Sequence, residues 1–173
     1  MIIERIYFDM DGVLADFDLG VKELCGLKPL DQAHKKESDD DKMWEAIKNV
    51  GHFYDKLSPM LGALEMFNVL YAKYGDKCEI LSGIPKPRRG ITTAGEDKTN
   101  WAHRLLSEDL KVNIVFREEK KNYVTSKGCI WIIGYNKQRL TVNSHFGRRK
   151  GCLWTSLLMQ LWKVLQQKLF WSY

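Results

Sequence analysis

The fold is decided by the stretch IERIYFDMDGVLADF, residues 3–17. Its first six residues are mostly apolar, which predicts a short buried β-strand over residues 3–8 that stops at Asp9. Asp9 and Asp11 follow directly, with Gly12 and an apolar pair behind them. Ligands of open α/β sheets bind outside the carboxyl ends of the strands, so we expect both carboxylates to lie at a binding site.

Placing two carboxylates so close together is costly, which favours a chemical role for them. At a separation of about 4 Å and an effective dielectric of about 20, two negative charges repel by roughly 4 kcal/mol. A proton or a bound cation relieves this repulsion. The alternative interpretation is a solvated turn, in which Asp9 and Asp11 only favour the turn geometry.

Helices and strands alternate along the rest of the chain. An acid-rich, aromatic stretch over 14–57 is predicted to be largely helical, with a capped helix start at 39–44 and a turn at 58–62. Further helices are predicted over 63–74 and 96–107, and further strands over 78–81, 112–116 and 129–133. This alternation predicts an α/β protein with a parallel sheet.

Composition excludes several classes of protein. Hydrophobic residues make up 45% of the 173 residues and charged residues 28%, which excludes wholesale disorder. No apolar stretch is long enough to span a membrane, and the N-terminus does not have the pattern of a secretory signal. The four cysteines are scattered without a metal-binding spacing, so we expect a reducing, cytoplasmic compartment.

Charge is distributed unevenly along the chain. Residues 1–119 hold all 22 acidic residues and 17 of the 27 Lys and Arg residues, a net charge of −5. Residues 120–173 hold 10 Lys and Arg residues and no acid, a net charge of +10, together with four of the six tryptophans. A break of this size within one small protein needs its own explanation.

The motif DMDGVLADF, residues 9–17, resembles motif I of the haloacid dehalogenase-like phosphatases. Ser82 ends a predicted strand, as the motif II hydroxyl of that family does, and Lys98 in EDKTNW resembles the motif III lysine. Within the superfamily the chain is most similar to the 5'(3')-deoxyribonucleotidases of the cytosolic type. The further matching segments are LSPMLGALEM, LSGIPKP and EDKTNW, and the resemblance covers about residues 1–130.

The resemblance implies an architecture. The family fold is a Rossmann-like three-layer parallel sheet with a small helical cap inserted after the first strand. Residues 1–15 and 59–173 would form the core and residues 16–58 the cap, with 131–173 as an atypical basic tail.

The resemblance also implies catalytic roles. Asp9 would be the nucleophile that forms an aspartyl-phosphate, and Asp11 the general acid and base. Ser82, the backbone N–H of Gly83 and Lys98 would bind the phosphoryl oxygens. Mg²⁺ would be held by Asp9 and Asp11.

The substrate implied by the resemblance is a small phosphate monoester, a deoxyribonucleotide above all. Phe17, Trp44 and Phe53 are candidates for an aromatic wall around a nucleobase, and Lys86 for a contact to phosphate or ribose. The alternatives are that these aromatic residues form the small core of the cap and that Lys86 faces solvent. No nucleic-acid partner is expected, and a homodimer is left open.

The chain departs from the family pattern at its fourth strand. The family places one or two Asp residues there to complete the metal site, whereas this chain has GCIWIIGYN, with Ile133 and Gly134 at the corresponding positions. A hard cation is held poorly by few anionic ligands. The alternative function is therefore a phosphate-binding protein on the same fold that lacks turnover.

The tail itself suggests a frameshift. Trp131, Trp154 and Trp162 are each followed by a residue whose codons begin with A, so a shift by one base converts these pairs into codons for Asp or Glu. The hypothesis is that the chain from near residue 131 is a frame-shifted reading. The rival interpretation is that a basic amphipathic helix over 153–171 binds an anionic membrane or a partner.

Overall fold

The computed structural model describes residues 4–28, 36–123, 129–136 and 139–144, with side chains for the first two ranges and the backbone for the last two. Its centre is a five-stranded sheet in the order β3-β2-β1-β4-β5. The strands are β1 Arg5–Phe8, β2 Cys78–Ile84, β3 Val112–Phe116, β4 Cys129–Asn136 and β5 Arg139–Ser144. The first four of these are mutually parallel and β5 is antiparallel to β4. The α/β class is thus confirmed, and the strand order agrees with a Rossmann-like fold.

The central position of β1 and β2 in the sheet explains why these strands are apolar. Strands of a parallel sheet are covered on both faces and therefore have nearly continuous hydrophobic runs. Ile6, Tyr7 and Phe8 of β1 are buried, as are the first five residues of β2. Phe8 pairs with Ile80 on one side, which brings the carboxyl ends of β1 and β2 together.

Two features of the sheet differ from the sequence prediction. β2 continues to Ile84, so Ser82 lies inside the strand rather than at its end. The prediction of a purely parallel sheet is wrong at one edge, because β5 forms an antiparallel pair with β4. A short connection after β4 allows this pairing, whereas a parallel return needs a crossover of a dozen or more residues. The three-layer arrangement stays a prediction.

Four α-helices are found in the described part of the chain. They are α1 Phe17–Cys25, α2 Glu37–Val50, α3 Ala63–Tyr74 and α4 Ala94–Leu105. α1 begins after Asp16, whose carboxylate accepts a hydrogen bond from the N–H of Leu19 at 2.9 Å, so the side chain caps the helix. The helix start predicted at 39–44 and the helix predicted over 96–107 begin two residues earlier, at Glu37 and Ala94. The predicted cap is wrong, because α2 begins after Lys36 with no side-chain cap.

The segment between β1 and α3 contains α1, α2 and a 3₁₀ turn at Tyr54–Lys56. Its base is closed by two backbone hydrogen bonds, from Asp16 N to Ser58 O and from Met60 N to Leu14 O, both 2.8 Å. Inside the segment a Cβ atom on Gly20 would come within 2.2 Å of Leu57, so the close approach there requires glycine. The division into core and cap stays a prediction.

Trp101 of α4 joins the core to the end of this segment. Its indole is fully buried, and its Nε1 donates a hydrogen bond to the backbone carbonyl of Leu57 at 2.7 Å. Phe8, Phe67 and Ile80 belong to the same buried cluster. Trp101 therefore fixes the position of α4 relative to the insertion.

Several sequence predictions lie outside the described residues. One is the amphipathic helix over 153–171, and others depend on side chains from Val124 onward. The frameshift hypothesis and its rival therefore stay predictions. The cytoplasmic location and the homodimer are likewise untested. Among the residues that the structure describes, no helix has both the length and the apolar character needed to cross a membrane.

Replacing Trp101 with Phe should lower the free energy of unfolding by about 2 kcal/mol, because a buried carbonyl at Leu57 loses its donor. Trp44→Phe is the matched control, since the Trp44 indole donates to Asp40 at a partly exposed position and its loss should cost less than about 1 kcal/mol. Denaturant unfolding measures both changes. Equal losses in the two variants would contradict the role given to Trp101.

Candidate functional site

The carboxyl ends of β1 and β2 carry the predicted site. Asp9 directly follows β1, and Ser82 lies two residues beyond Ile80, the register partner of Phe8. The turn after β1 is compact, because the carbonyl of Met10 accepts hydrogen bonds from the N–H groups of three following residues, 13 to 15. Gly12 adopts a φ of 70°, which favours glycine. This turn places Asp11 beside Asp9 at the sheet edge.

Lys98 connects Asp11, which follows β1, to Ser82 and Gly83 of β2. Its side chain is fully buried, and its Nζ donates to Asp11 Oδ2 at 2.6 Å, to Ser82 Oγ at 3.0 Å and to the carbonyl of Gly83 at 2.7 Å. Three hydrogen bonds use the full donor capacity of an ammonium group. The face of the Tyr54 ring lies 4.4 Å from the same nitrogen, at cation–π distance. The sequence-predicted residues Asp11, Ser82, Gly83 and Lys98 are thus brought together.

A second buried lysine, Lys120, contacts Asp9. Its Nζ lies 2.7 Å from Asp9 Oδ2, while Asp9 Oδ1 accepts a hydrogen bond from Met10 N at 2.8 Å. Lys120 belongs to a 3₁₀ helix, Arg117–Tyr123, that directly follows β3. Sequence analysis missed this residue because it lies in the charged run REEKK, which is typical of a solvated surface. Its position just after a strand of the sheet was the available signal.

The repulsion between Asp9 and Asp11 is therefore offset within the protein. Each carboxylate forms an ion pair with a lysine that is at least nine-tenths buried, Lys120 for Asp9 and Lys98 for Asp11. Buried charges of this kind are tolerated in a protein interior because they are paired and hydrogen-bonded. The result is two ion pairs in the turn that follows β1.

Asp97 holds the start of α4 next to Lys98. Its carboxylate is fully buried and accepts a hydrogen bond from Thr93 Oγ1 at 3.0 Å, and it lies 2.7 Å from Nδ1 of His52. His52 has a φ of 49°, which is unusual for a residue with a side chain. These contacts tie the first turn of α4 to the insertion.

The site residues fit a magnesium ion only with help from a ligand. Asp11 Oδ1 is buried and accepts no hydrogen bond, which leaves it open to a cation. However, no group of three or more His, Cys, Asp or Glu side chains suited to a metal occurs in the described ranges. Mg²⁺ is often held by one or two carboxylates together with substrate phosphate and water. Asp9 and Asp11 fit that mode rather than a cage made by the protein alone.

A cleft of about 660 Å³ opens beside these groups, a volume typical of small-molecule sites. Asp9, Asp11 and Lys120 line it at the sheet, and Trp44 and Tyr54 line it from the insertion. Burial, with smaller effects of Asp11 and Asp97, raises the pKa of Tyr54 well above its ordinary value. The phenol therefore stays neutral at physiological pH.

The predicted aromatic wall is only partly found. Trp44 lines the cleft, whereas Phe53 is 1% exposed and Phe17 packs on it at 5.6 Å between ring centroids. Neither phenylalanine lines the cleft. The alternative interpretation, a small core inside the insertion, therefore describes Phe17 and Phe53. Sequence analysis missed Tyr54, which lies next to Phe53 in the 3₁₀ turn.

Arg89 joins the loop after β2 to helix α2. Its guanidinium pairs with Asp40 at 2.6 Å and with Asp41, and it lies over the ring of Trp44 at 5.8 Å. Trp44 Nε1 in turn donates to Asp40 Oδ2 at 3.0 Å. Lys86, from the same loop, is exposed and lines the cleft, and its contact to a ligand stays a prediction. The contacts of Arg89 with Asp40 and Trp44 hold this side of the cleft in place.

Comparison with known proteins supports a nucleotidase-like relationship. A protein of Vibrio phage KVP40, provisionally named a 5'(3')-deoxyribonucleotidase, is 26% identical over 122 residues. The match covers 67% of this chain and 59% of the phage protein, so the chain spans less than two thirds of that relative's length. No family model matches the chain.

Replacing Lys98 with Met should lower the free energy of unfolding by roughly 2–3 kcal/mol, because Asp11 and Ser82 lose their shared donor. This loss of stability is no greater than that for breaking a fully buried ion pair, because the Asp11 side chain is 33% exposed. Lys73→Met, at an exposed position on α3, is the control and should change stability little. Thermal or denaturant unfolding that finds the two variants equally stable would contradict this account of Lys98.

Proposed function

We propose that this chain is a phosphomonoesterase of the 5'(3')-deoxyribonucleotidase type, which uses Asp9 as its nucleophile. The observation that carries the proposal is the convergence of Asp9, Asp11, Ser82, Lys98 and Lys120 at one edge of the sheet, beside a cleft of nucleotide size. The provisional name of the phage relative supports the same reaction class. Membership of the haloacid dehalogenase-like superfamily is part of the proposal.

In the first step, a carboxylate oxygen of Asp9 attacks the phosphorus atom of the bound monoester. A new oxygen–phosphorus bond forms to Asp9 and the bond to the ester oxygen breaks, which gives an aspartyl-phosphate. Asp11 donates a proton to the departing ester oxygen, so the product leaves as an alcohol.

In the second step, water attacks the phosphorus atom of the aspartyl-phosphate. Asp11, now ionised, removes a proton from the water, and the bond between phosphorus and Asp9 breaks. Inorganic phosphate leaves and Asp9 returns as a carboxylate. One residue thus serves as acid and then as base, which matches its position next to the nucleophile.

The cations and the hydroxyl stabilise the phosphoryl group during both steps. Lys98 and Lys120 are buried beside the two carboxylates, so they can exchange part of their hydrogen bonding from carboxylate to phosphoryl oxygens. Ser82 supplies a hydroxyl from β2, and we propose that the N–H of Gly83 acts with it. Mg²⁺, which would be held by the Asp9 carboxylate, the backbone carbonyl of Asp11 and the phosphate, would supply further neutralisation of the phosphate charge.

The aromatic side of the cleft accounts for a nucleotide substrate. Trp44 is fixed by Arg89 and Asp40, and it faces the same cleft as Asp9. Stacking of a base on an aromatic ring contributes about 1–3 kcal/mol in nucleic-acid complexes. The neutral side chain of Tyr54 borders the cleft on the same side, and Lys86 provides a positive charge at the loop after β2.

Asp9→Asn should reduce phosphate release from a deoxynucleoside monophosphate by at least about 10³-fold, because an amide cannot form the acyl-phosphate. The control is Glu118→Gln, which changes an exposed acid on the wall of the same cleft and should retain activity within about threefold. Phosphate release in the presence of Mg²⁺ measures both. Unchanged turnover in Asp9→Asn would mean that another nucleophile, or a contaminating enzyme, is responsible.

A phosphate-binding protein without turnover is the second candidate. The observation that favours it is the absence of a third acid around Asp9 and Asp11 in the described ranges. Both candidates predict that a nucleotide binds in the cleft, whereas only the phosphomonoesterase releases inorganic phosphate. Measuring binding by calorimetry together with phosphate release separates the two.

The Mg²⁺ part of the proposal is tested at the fourth strand. Phe8 pairs with Ile132, so the backbone of Ile133 and Gly134 continues past the carboxyl end of β1, where Asp9 lies. Ile133→Asp with Gly134→Asp should strengthen Mg²⁺ binding about tenfold or more and raise phosphate release, since each carboxylate adds an anionic oxygen ligand. Calorimetry with Mg²⁺ and a phosphate assay are run side by side. If neither rises above the parent chain, missing metal ligands are not what limits this protein.

A further inference from the structure

The basic side chains around the cleft fall into two groups. Lys98, Lys120 and Arg89 are buried or nearly so, and each forms an ion pair with an aspartate. Lys86, Arg88 and Arg117 line the cleft, as Lys120 and Arg89 do, but these three are exposed. Among the residues with described side chains, no acid lies within ion-pair distance of these three, and we call them the unpaired cations.

The unpaired cations lie just after the carboxyl ends of two neighbouring strands, at one corner of the sheet. Lys86 and Arg88 follow β2, and Arg117 directly follows β3. β2 and β3 are neighbours whose last residues pair, Ile84 with Phe116. The Cα of Arg117 lies 3.9 Å from the position that a Cβ atom on Gly83 would take, and the carbonyl of Gly83 accepts a hydrogen bond from Lys98, so this corner adjoins the site.

The transferring phosphoryl group does not account for these three cations. In the proposed function its oxygens are served by Lys98, Lys120 and Ser82, which are already at the end of β1 and β2. Arginine binds phosphate through two parallel hydrogen bonds, and a cleft lined by one sign of charge concentrates ions of the opposite sign. Cations that have no acidic partner among the residues with described side chains are suited to a second anion.

We propose that Arg88 and Arg117, with Lys86 beside them, form a subsite for a second phosphate group of the substrate. The substrate class is a nucleotide with two separate phosphates, such as a deoxynucleoside 3',5'-bisphosphate. This inference rests on the proposed function, since it places the first phosphate at Asp9. The cleft volume of about 660 Å³ accommodates a ligand of this size.

The test compares two ligands that differ in one phosphate, thymidine 5'-monophosphate and thymidine 3',5'-bisphosphate. In the parent chain the KM for the bisphosphate should be about tenfold lower or more, because two arginines gain an anionic partner. Arg88→Gln with Arg117→Gln should remove this difference and change the KM for the monophosphate by less than about threefold. Lys73→Gln with Arg104→Gln removes two positive charges from exposed positions outside the cleft and should preserve the difference.

Binding measurements separate this inference from the proposed function. Calorimetry with the Asp9→Asn chain should show tighter binding of the bisphosphate, lost when Arg88 and Arg117 are also replaced. If the monophosphate is hydrolysed but both ligands have the same KM, the second subsite is wrong and the nucleotidase stands. If neither ligand is hydrolysed and the arginine-dependent preference is still measured, the subsite stands and the nucleotidase fails. Equal binding of both ligands overturns the subsite in every case.

Discussion

The buried ammonium group of Lys98 is the constraint on which the site depends. An uncompensated charge in a protein interior costs several kcal/mol, so its surroundings must supply acceptors and an opposite charge. Here they come from three segments, namely Asp11 after β1, Ser82 and Gly83 in β2, and the Tyr54 ring in the insertion. Satisfying one cation therefore sets the relative positions of two strands, a helix and the 3₁₀ turn.

The same constraint explains why the insertion is held to the sheet at several points. Trp101 and Asp97, both on α4 beside Lys98, bind Leu57 and His52 of the insertion. On the other side of the cleft, Arg89 binds α2 through Asp40 and Asp41. Contacts on both sides keep Trp44 and Tyr54 facing the carboxylates.

Much of the fold and part of the site could be predicted from sequence. Asp9 and Asp11 were expected at a strand end because ligands bind outside the carboxyl ends of parallel strands, whereas Ser82 and Lys98 were expected beside them from the family resemblance. The structure brings Asp11, Ser82 and Lys98 into contact, and the roles of all four stay predictions. Lys120 was missed because a charged run is normally read as exposed surface. Tyr54 was missed because an aromatic cluster has no periodicity that distinguishes residues lining a cleft from residues in a core. For the same reason Phe17 and Phe53 were assigned to the cleft. β5 escaped prediction because pairing across a sheet edge depends on distant residues rather than on local pattern.

The central claim is that phosphoryl transfer passes through Asp9. Acid quenching during steady-state turnover of a deoxynucleoside monophosphate, followed by peptide mass spectrometry, tests it most directly, because an acyl-phosphate is preserved by acid long enough to be mapped. We predict a phosphoryl group on the peptide that contains Asp9, absent from the Asp9→Asn chain and removed when the quenched protein is treated with hydroxylamine. Turnover with no covalent phosphate on Asp9, or with phosphate on another residue, would contradict the account.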